Sequence, residues 1–403
     1  MIDFVIVFAL LLFANQMLLG SLSKKFTFFD QSLMQKLYWY HLVFFGIYYA
    51  YTLYNPSDSK NYYAVALSAS EQGLFHMESG TKFISFIAVP FVSMGFSYLT
   101  MMLIFSWFGY VGFVYAYLYF RENIPLDIKI FKRYNLLTVL LFLPNMHFWT
   151  VSLGKGSIIF MGLMLFTYAI KFPQKRIITL LIGGFFVYMV RPHVMLFVLV
   201  GVMIGLLTGR GKLTTAVKIL ILTMSIGFLI AASSSILAVA KLENSENVVD
   251  DFEQFTEKRS IGLSNSAGSG VAMNDYPLPV KLFTFWFRPL FVDSPSALGI
   301  FSSLENLIYL LLFVKIMNRG FIRFIRKAPY MVKMSAIVFL LTSFAMTFVM
   351  SNLGIIMRQK SMVMYFGFFV IYYFLAQKEF NRRQQLQKQQ LVKENDVTLI
   401  PSL

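Results

Sequence analysis

The chain has 403 residues, 58% of them apolar, 18% aromatic and only 13% charged, with a formal net charge of +16 and no cysteine. Apolar runs recur almost from end to end, the composition of an all-α, polytopic integral membrane protein. The absence of cysteine excludes disulfides, thiolate catalysis and iron–sulfur ligation. The excess of Lys and Arg reads as marking cytoplasmic loops and not a nucleic-acid surface.

The opening IDFVIVFALLLFANQMLLG has no basic leader and no small-residue cleavage site, so Ile2–Gly20 reads as a retained first span. Span 2 covers Leu37–Tyr54 and ends in a polar stretch containing Asp58 and Lys60. The apolar region Phe83–Phe120 is too long for one span. It divides into an interfacial or re-entrant piece, Phe83–Val92, broken at Pro90, and span 3, Ser93–Phe120. Span 4 follows the basic loop RENIPLDIKIFKR and runs to Trp149.

Spans 5 to 7, Ser157–Ile170, Ile177–Val190 and Met195–Leu207, hold about 13 or 14 residues each and reach only about 21 Å as helix, against a bilayer core of about 30 Å. The turns between them carry Lys155, Arg191 and His193 and therefore lie at or below the headgroups. Span 8 is Leu213–Ala240, and a long polar segment, Lys241–Pro279, follows it. Lys281–Val292 forms an amphipathic, aromatic-rich shoulder, and Ala297–Met317, Met334–Met350 and Ser361–Ala376 complete the spans. NRGFIRFIRKAPYMVK reads as a basic loop, SNLGIIMRQK as a turn, and Gln377–Leu403 as a polar helical tail that frays. The organisation is one transmembrane domain, 1–376, with outer loops 55–92 and 241–292, and a cytoplasmic tail, 377–403.

Alternate loops divide by charge. KK at 24–25, RENIPLDIKIFKR, KFPQKR, GRGK, 319–333 and the tail are dense in Lys and Arg, so they are assigned to the cytoplasm. About eleven spans then put the N-terminus outside and the C-terminus inside.

Basic residues on the outer side depart from that bias. Lys155, Arg191, Arg288 and Arg358 lie beside apolar helix ends. Such a cluster suits a diphosphate, because the guanidinium fork pairs phosphate oxygens best where water is scarce. Each residue taken singly also suits a lipid headgroup or a helix cap. Asp58 suits a general base for a hydroxyl or a ligand for a divalent metal, and equally an Asx turn or N-cap. Glu305, inside span 9, reads as functional or as a structural ion pair with an outer Arg such as Arg288. His193 follows Arg191 closely enough to share its ligand as a neutral base. His147 reads as an interfacial hydrogen-bonder beside Trp149, itself a belt aromatic or a sugar-stacking surface.

The sequence has no GxxxxGK[ST], GxGxxG, HExxH or CxxC, so nucleotide hydrolysis, nucleotide-dependent redox chemistry and the usual zinc sites have no support. Three segments carry a resemblance. Asp58–Lys60–Tyr62–Tyr63 resembles an Asp-x-x-x-Tyr-Tyr segment of bacterial polysaccharide polymerases of the Wzy and exopolysaccharide type. LPNMHFWTVSLGKGS resembles their Pro…Phe-Trp…Gly-Lys segment. RPH, FWFRPLF…SLENL and NLGIIMRQK resemble later outer-face motifs. Ser57 stands where a Gly usually precedes the Asp, and the paired acids of many membrane glycosyltransferases are missing.

The resemblance implies a bacterial inner-membrane protein that joins oligosaccharide repeat units carried on undecaprenyl diphosphate. Lys155, Arg191, Arg288 and Arg358 would hold the diphosphate, and Asp58 or His193 would deprotonate the acceptor. No cofactor is expected, and a divalent metal is left open. A chain-length regulator or a flippase would be a partner. Single-sugar transfer from a polyprenyl-phosphate donor and transport of lipid-linked sugars are the alternatives.

Overall fold

Helix boundaries in the computed structural model follow the capping chemistry of the sequence. It describes all residues except 1, 74–75, 125, 131–132, 212, 234–255, 257, 259, 263–269, 272, 294–296 and 399–403. Most of the long polar segment, with Lys241 and Arg259, and the end of the eighth expected span therefore lie outside the described residues.

Among the described residues the chain is all-α apart from a two-residue antiparallel ladder, Lys129↔Asn135 and Ile130↔Tyr134, and the isolated bridges Arg210↔Pro329 and Gly270↔Asn352. Among the described residues four helices are long and apolar enough to cross a membrane: Ile2–Lys25, Tyr98–Asn123, Gly299–Ile316 and Tyr330–Val349. Shorter apolar helices accompany them. The first, α1 (Ile2–Lys25), turns Ile2, Ile6, Leu10, Phe13 and Met17 outward and Val7, Asn15, Leu19 and Leu22 inward. An outer face this apolar is suited to hydrocarbon and not to water.

The bundle is built around α5 (Tyr98–Asn123), most of whose residues are buried, and α8 (Lys155–Ala169), which is buried from Ser157 onward. α2 (Gln31–Tyr54) flanks α5. Close helix approach depends on glycine, as is usual where lipid removes the hydrophobic drive between helices. Gly201, Gly205 and Gly209 recur every fourth residue on α10 (Pro192–Thr208) and just beyond it. Side chains there would meet Val338, Met334 and Tyr330 of α15 (Tyr330–Val349).

The two ends of the bundle differ. At one end, here the near end, Asp3 accepts hydrogen bonds from the amide (2.9 Å) and hydroxyl (2.6 Å) of Ser97, the N-cap of α5. At the far end Glu122 accepts from Arg176 (2.9 Å), and Lys171 lies 3.9 Å away. Burial pushes the Lys171 ammonium down from its ordinary value.

Several boundaries depart from expectation. Pro90 does not break the apolar run but sits in the last turn of α4 (Thr81–Ser93). The break falls at Gly95, whose φ of 85° is the left-handed region open to glycine. The fourth apolar stretch is two short helices, α6 (Leu136–Leu141) and α7 (Pro144–Thr150), divided where Pro144 starts a new helix. The basic loop after span 9 contains a helix, α14 (Arg319–Lys327). SNLGIIMRQK is not a turn. The Asn352 side chain accepts from the amides of Gly354 (3.0 Å) and Ile355 (3.3 Å), and α16 (Leu353–Thr398) starts there, continuing through the last apolar run into the tail. Arg358 and Lys360 are therefore helical residues.

Candidate functional site

At the near end, α3 (Asp58–Glu71) begins under a chain of hydroxyls. Tyr48 bonds Ser57 (3.1 Å), Ser57 bonds Ser59 (2.7 Å), and Ser59 bonds Tyr98 (2.7 Å). Ser57 is the N-cap, which fixes Asp58 as the first helical residue. Its carboxylate, 60% exposed, accepts from the Arg358 guanidinium at 2.6 Å. That guanidinium also lies over the Trp149 ring, 6.0 Å from its centroid.

Tyr62, one turn beyond Asp58 and buried, lies within electrostatic reach of Arg358 and Arg191. Burial raises the Tyr62 phenol above its ordinary value, and the Arg358 charge opposes that rise, so it is a neutral donor near pH 7. The ring lies against Gly154, and Lys155 follows as the first residue of α8. Arg191 joins two helices. Its amide closes α9 (Ile177–Val190) by bonding Val187 (2.8 Å), and its carbonyl opens α10 by accepting from Val194 (3.0 Å). His193, half-buried, is the second residue of α10.

A second polar group lies deeper. Glu305 on α13 (Ala297–Ile316) is only 2% exposed; its carboxylate accepts from the Asn145 amide (2.7 Å) and from the Tyr309 hydroxyl. Lys360, 1% exposed, donates to the carbonyl of Arg288 (3.1 Å) and to the Asn306 side chain, within electrostatic reach of Glu305. Asn145 links the two groups: its side chain accepts from the Trp149 indole (3.0 Å) and donates to the Met357 carbonyl (3.2 Å).

The expected residues are thus partly united. Arg358 brings Asp58 and Trp149 together, Tyr62 lies within electrostatic reach of Arg358, Asp58 and Arg191, and Lys155 is on the adjoining helix start. Arg288 stands apart. It follows α12 (Leu278–Phe287), and Asp293 takes its guanidinium at 3.0 and 2.6 Å, so it is neither the partner of Glu305 nor facing Asp58. The Arg288 contact holds the Asp293 carboxyl below the usual range. The charge near Glu305 is Lys360.

His147 is no interfacial residue. It is fully buried, 2.7 Å from His41 ring nitrogen to nitrogen, and stacked on Phe113. Tyr62, Asn145, Asn306 and Lys360 had no assigned role in the sequence reading. A Lys beside a long apolar run was the signal for the last of them.

Chemically, the group offers an exposed carboxylate, two guanidinium groups, a neutral phenol and an indole face, with an ammonium on the adjoining helix start. That set suits an anionic group beside a polyol. Among the described residues no three His, Asp or Glu side chains gather as a metal site. No family model matches the chain, and no curated protein or solved structure matches it.

Proposed function

We propose that the chain is a membrane glycosyltransferase that polymerises repeat units carried on undecaprenyl diphosphate, working at the outer face of a bacterial inner membrane. In this reading about eleven spans put the Asp58 end outside. The observation that carries it is the Arg358–Asp58 contact, with Arg191 and Trp149 close by, at the end of the bundle whose loops are poorer in Lys and Arg.

The donor diphosphate takes the Arg358 guanidinium from Asp58, with Arg191 and Lys155 beside it. Freed of its partner, the Asp58 carboxylate accepts the proton of the acceptor hydroxyl. The hydroxyl oxygen forms a bond to the anomeric carbon, and the bond from that carbon to the diphosphate oxygen breaks. The electron pair leaves on the diphosphate, whose developing charge the cations stabilise. Trp149 offers its face to a sugar ring. His193 is the second candidate for the base.

The test is reconstitution of the full chain in liposomes with purified undecaprenyl-diphosphate-linked repeat units, alone and, in a second preparation, with a polyprenyl-phosphate-linked sugar added. A ladder of products, lost when Arg358 or Arg191 is replaced by Ala, supports the proposal. A product one sugar longer with no ladder means single-sugar transfer, and no product with either donor refutes both.

A further inference from the structure

The far end of the bundle carries a second cationic feature, unrelated to Asp58. Helix α14 connects two helices that are each long and apolar enough to cross a membrane, through Met317–Asn318 on one side and Ala328–Pro329 on the other. Short connections of this kind hold α14 at the membrane surface. Its Phe321 and Phe324 rings each lie 5.3 Å from the ring of Phe374 on α16, while Arg319, Arg323, Arg326 and Lys327 are exposed. Ile322 and Met317, 56% and 79% exposed, stand beside those cations, the pattern of a helix lying in an interface.

Between α14, the first turns of the tail and Arg210 is a cleft of about 480 Å³. Arg210, Arg323, Lys327 and Lys378 line it, above an apolar floor of Phe324 and Phe374. Arg210 is held there by the backbone: its amide donates to Ala328 (3.2 Å) and its carbonyl accepts from Tyr330 (3.0 Å). The nearby Glu379 is taken by Arg382 and Arg383 on the tail.

We propose that this cleft binds the headgroup of an anionic phospholipid from the adjoining leaflet. Four cations fix the chemistry as a phosphate-bearing anion. The aromatic floor and the interfacial position of α14 favour a lipid over a free anion, because the ligand's apolar part has somewhere to lie. The inference is independent of the proposed glycosyltransferase activity.

The test uses the full-length protein, delipidated in a neutral detergent and titrated with phosphatidylglycerol, phosphatidylcholine and inorganic phosphate, with binding read by native mass spectrometry. Phosphatidylglycerol is expected to bind preferentially. Each of R323Q, K327Q and K378Q should weaken it about fivefold, and the triple variant on the order of a hundredfold. K388Q, further along the tail and outside the cleft, should leave it unchanged. The single variants retain the test if the triple variant does not fold. Equal binding of phosphatidylcholine, an equal loss in K388Q, or inorganic phosphate binding as tightly as the lipid would each overturn the proposal.

Discussion

Arg358 and Asp58, 300 positions apart in the chain, meet at 2.6 Å and join the start of α16 to the start of α3. The carboxylate is 60% exposed, so the pair contributes at most about 1 kcal/mol to stability. A contact that closes so long a separation for so little stability is better explained by a task than by folding.

D58N should therefore lower polymer formation by about a hundredfold or more, the usual worth of a positioned base, with the unfolding midpoint nearly unchanged. R358K should not restore activity to R358A, since an ammonium lacks the planar fork that pairs phosphate oxygens two at a time. Rates in liposomes and thermal unfolding in detergent check both; stability falling in step with activity would make the pair structural.

Lys360 presents the opposite balance. It is buried and donates to the Arg288 carbonyl and to Asn306, so its loss leaves those acceptors and Glu305 uncompensated. K360M should destabilise by roughly 3 kcal/mol or more, and K360M/E305Q by less, because the second change removes the stranded charge. A double-mutant cycle of unfolding free energies measures the coupling, and simple additivity would rule it out.

Trp149 and Lys155 are positioned by glycine contacts. A Cβ on Gly109 would stand 2.0 Å from the Thr150 carbonyl oxygen, and one on Gly156 would stand 2.2 Å from that of Trp149. G109A and G156A should each cost about 1–3 kcal/mol and reduce activity further than stability explains. At Gly154 the nearest atom is 3.5 Å away, so G154A should leave stability almost unchanged. Unfolding midpoints of the three variants decide.

The Arg288–Asp293 pair sets a pH dependence. The Asp293 carboxyl is held below its ordinary value, so its stabilising contribution is present above the unfolded carboxylate value and is lost as pH falls through the folded one. Wild type should exceed D293N in unfolding midpoint at neutral pH, and the two should converge in the acid range. A gap independent of pH would mean that the charge of Asp293 is not what stabilises the loop.

Local signals in the sequence made the helices legible: apolar runs, and short spans around Lys155 and Arg191. What local patterns do not report is which helix ends meet. The Arg358–Asp58 contact and the Glu305–Asn145 contact depend on packing across the whole bundle. His147 was misread from its neighbour Trp149: two residues on a helix are about 200° apart, so one faces the core when the other faces the rim. Arg288 was misread because Asp293, five residues on, supplies a partner that an outer Arg does not advertise. SNLGIIMRQK was read by its polar start, although the Asn in it is an N-cap.

Lipid extraction from cells lacking this protein, with mass analysis of undecaprenyl-diphosphate-linked glycans, tests the central claim most directly. The account predicts accumulation of a single complete repeat unit, relieved by the wild-type chain and not by R358A. A unit one sugar short, or no accumulation at all, would contradict it.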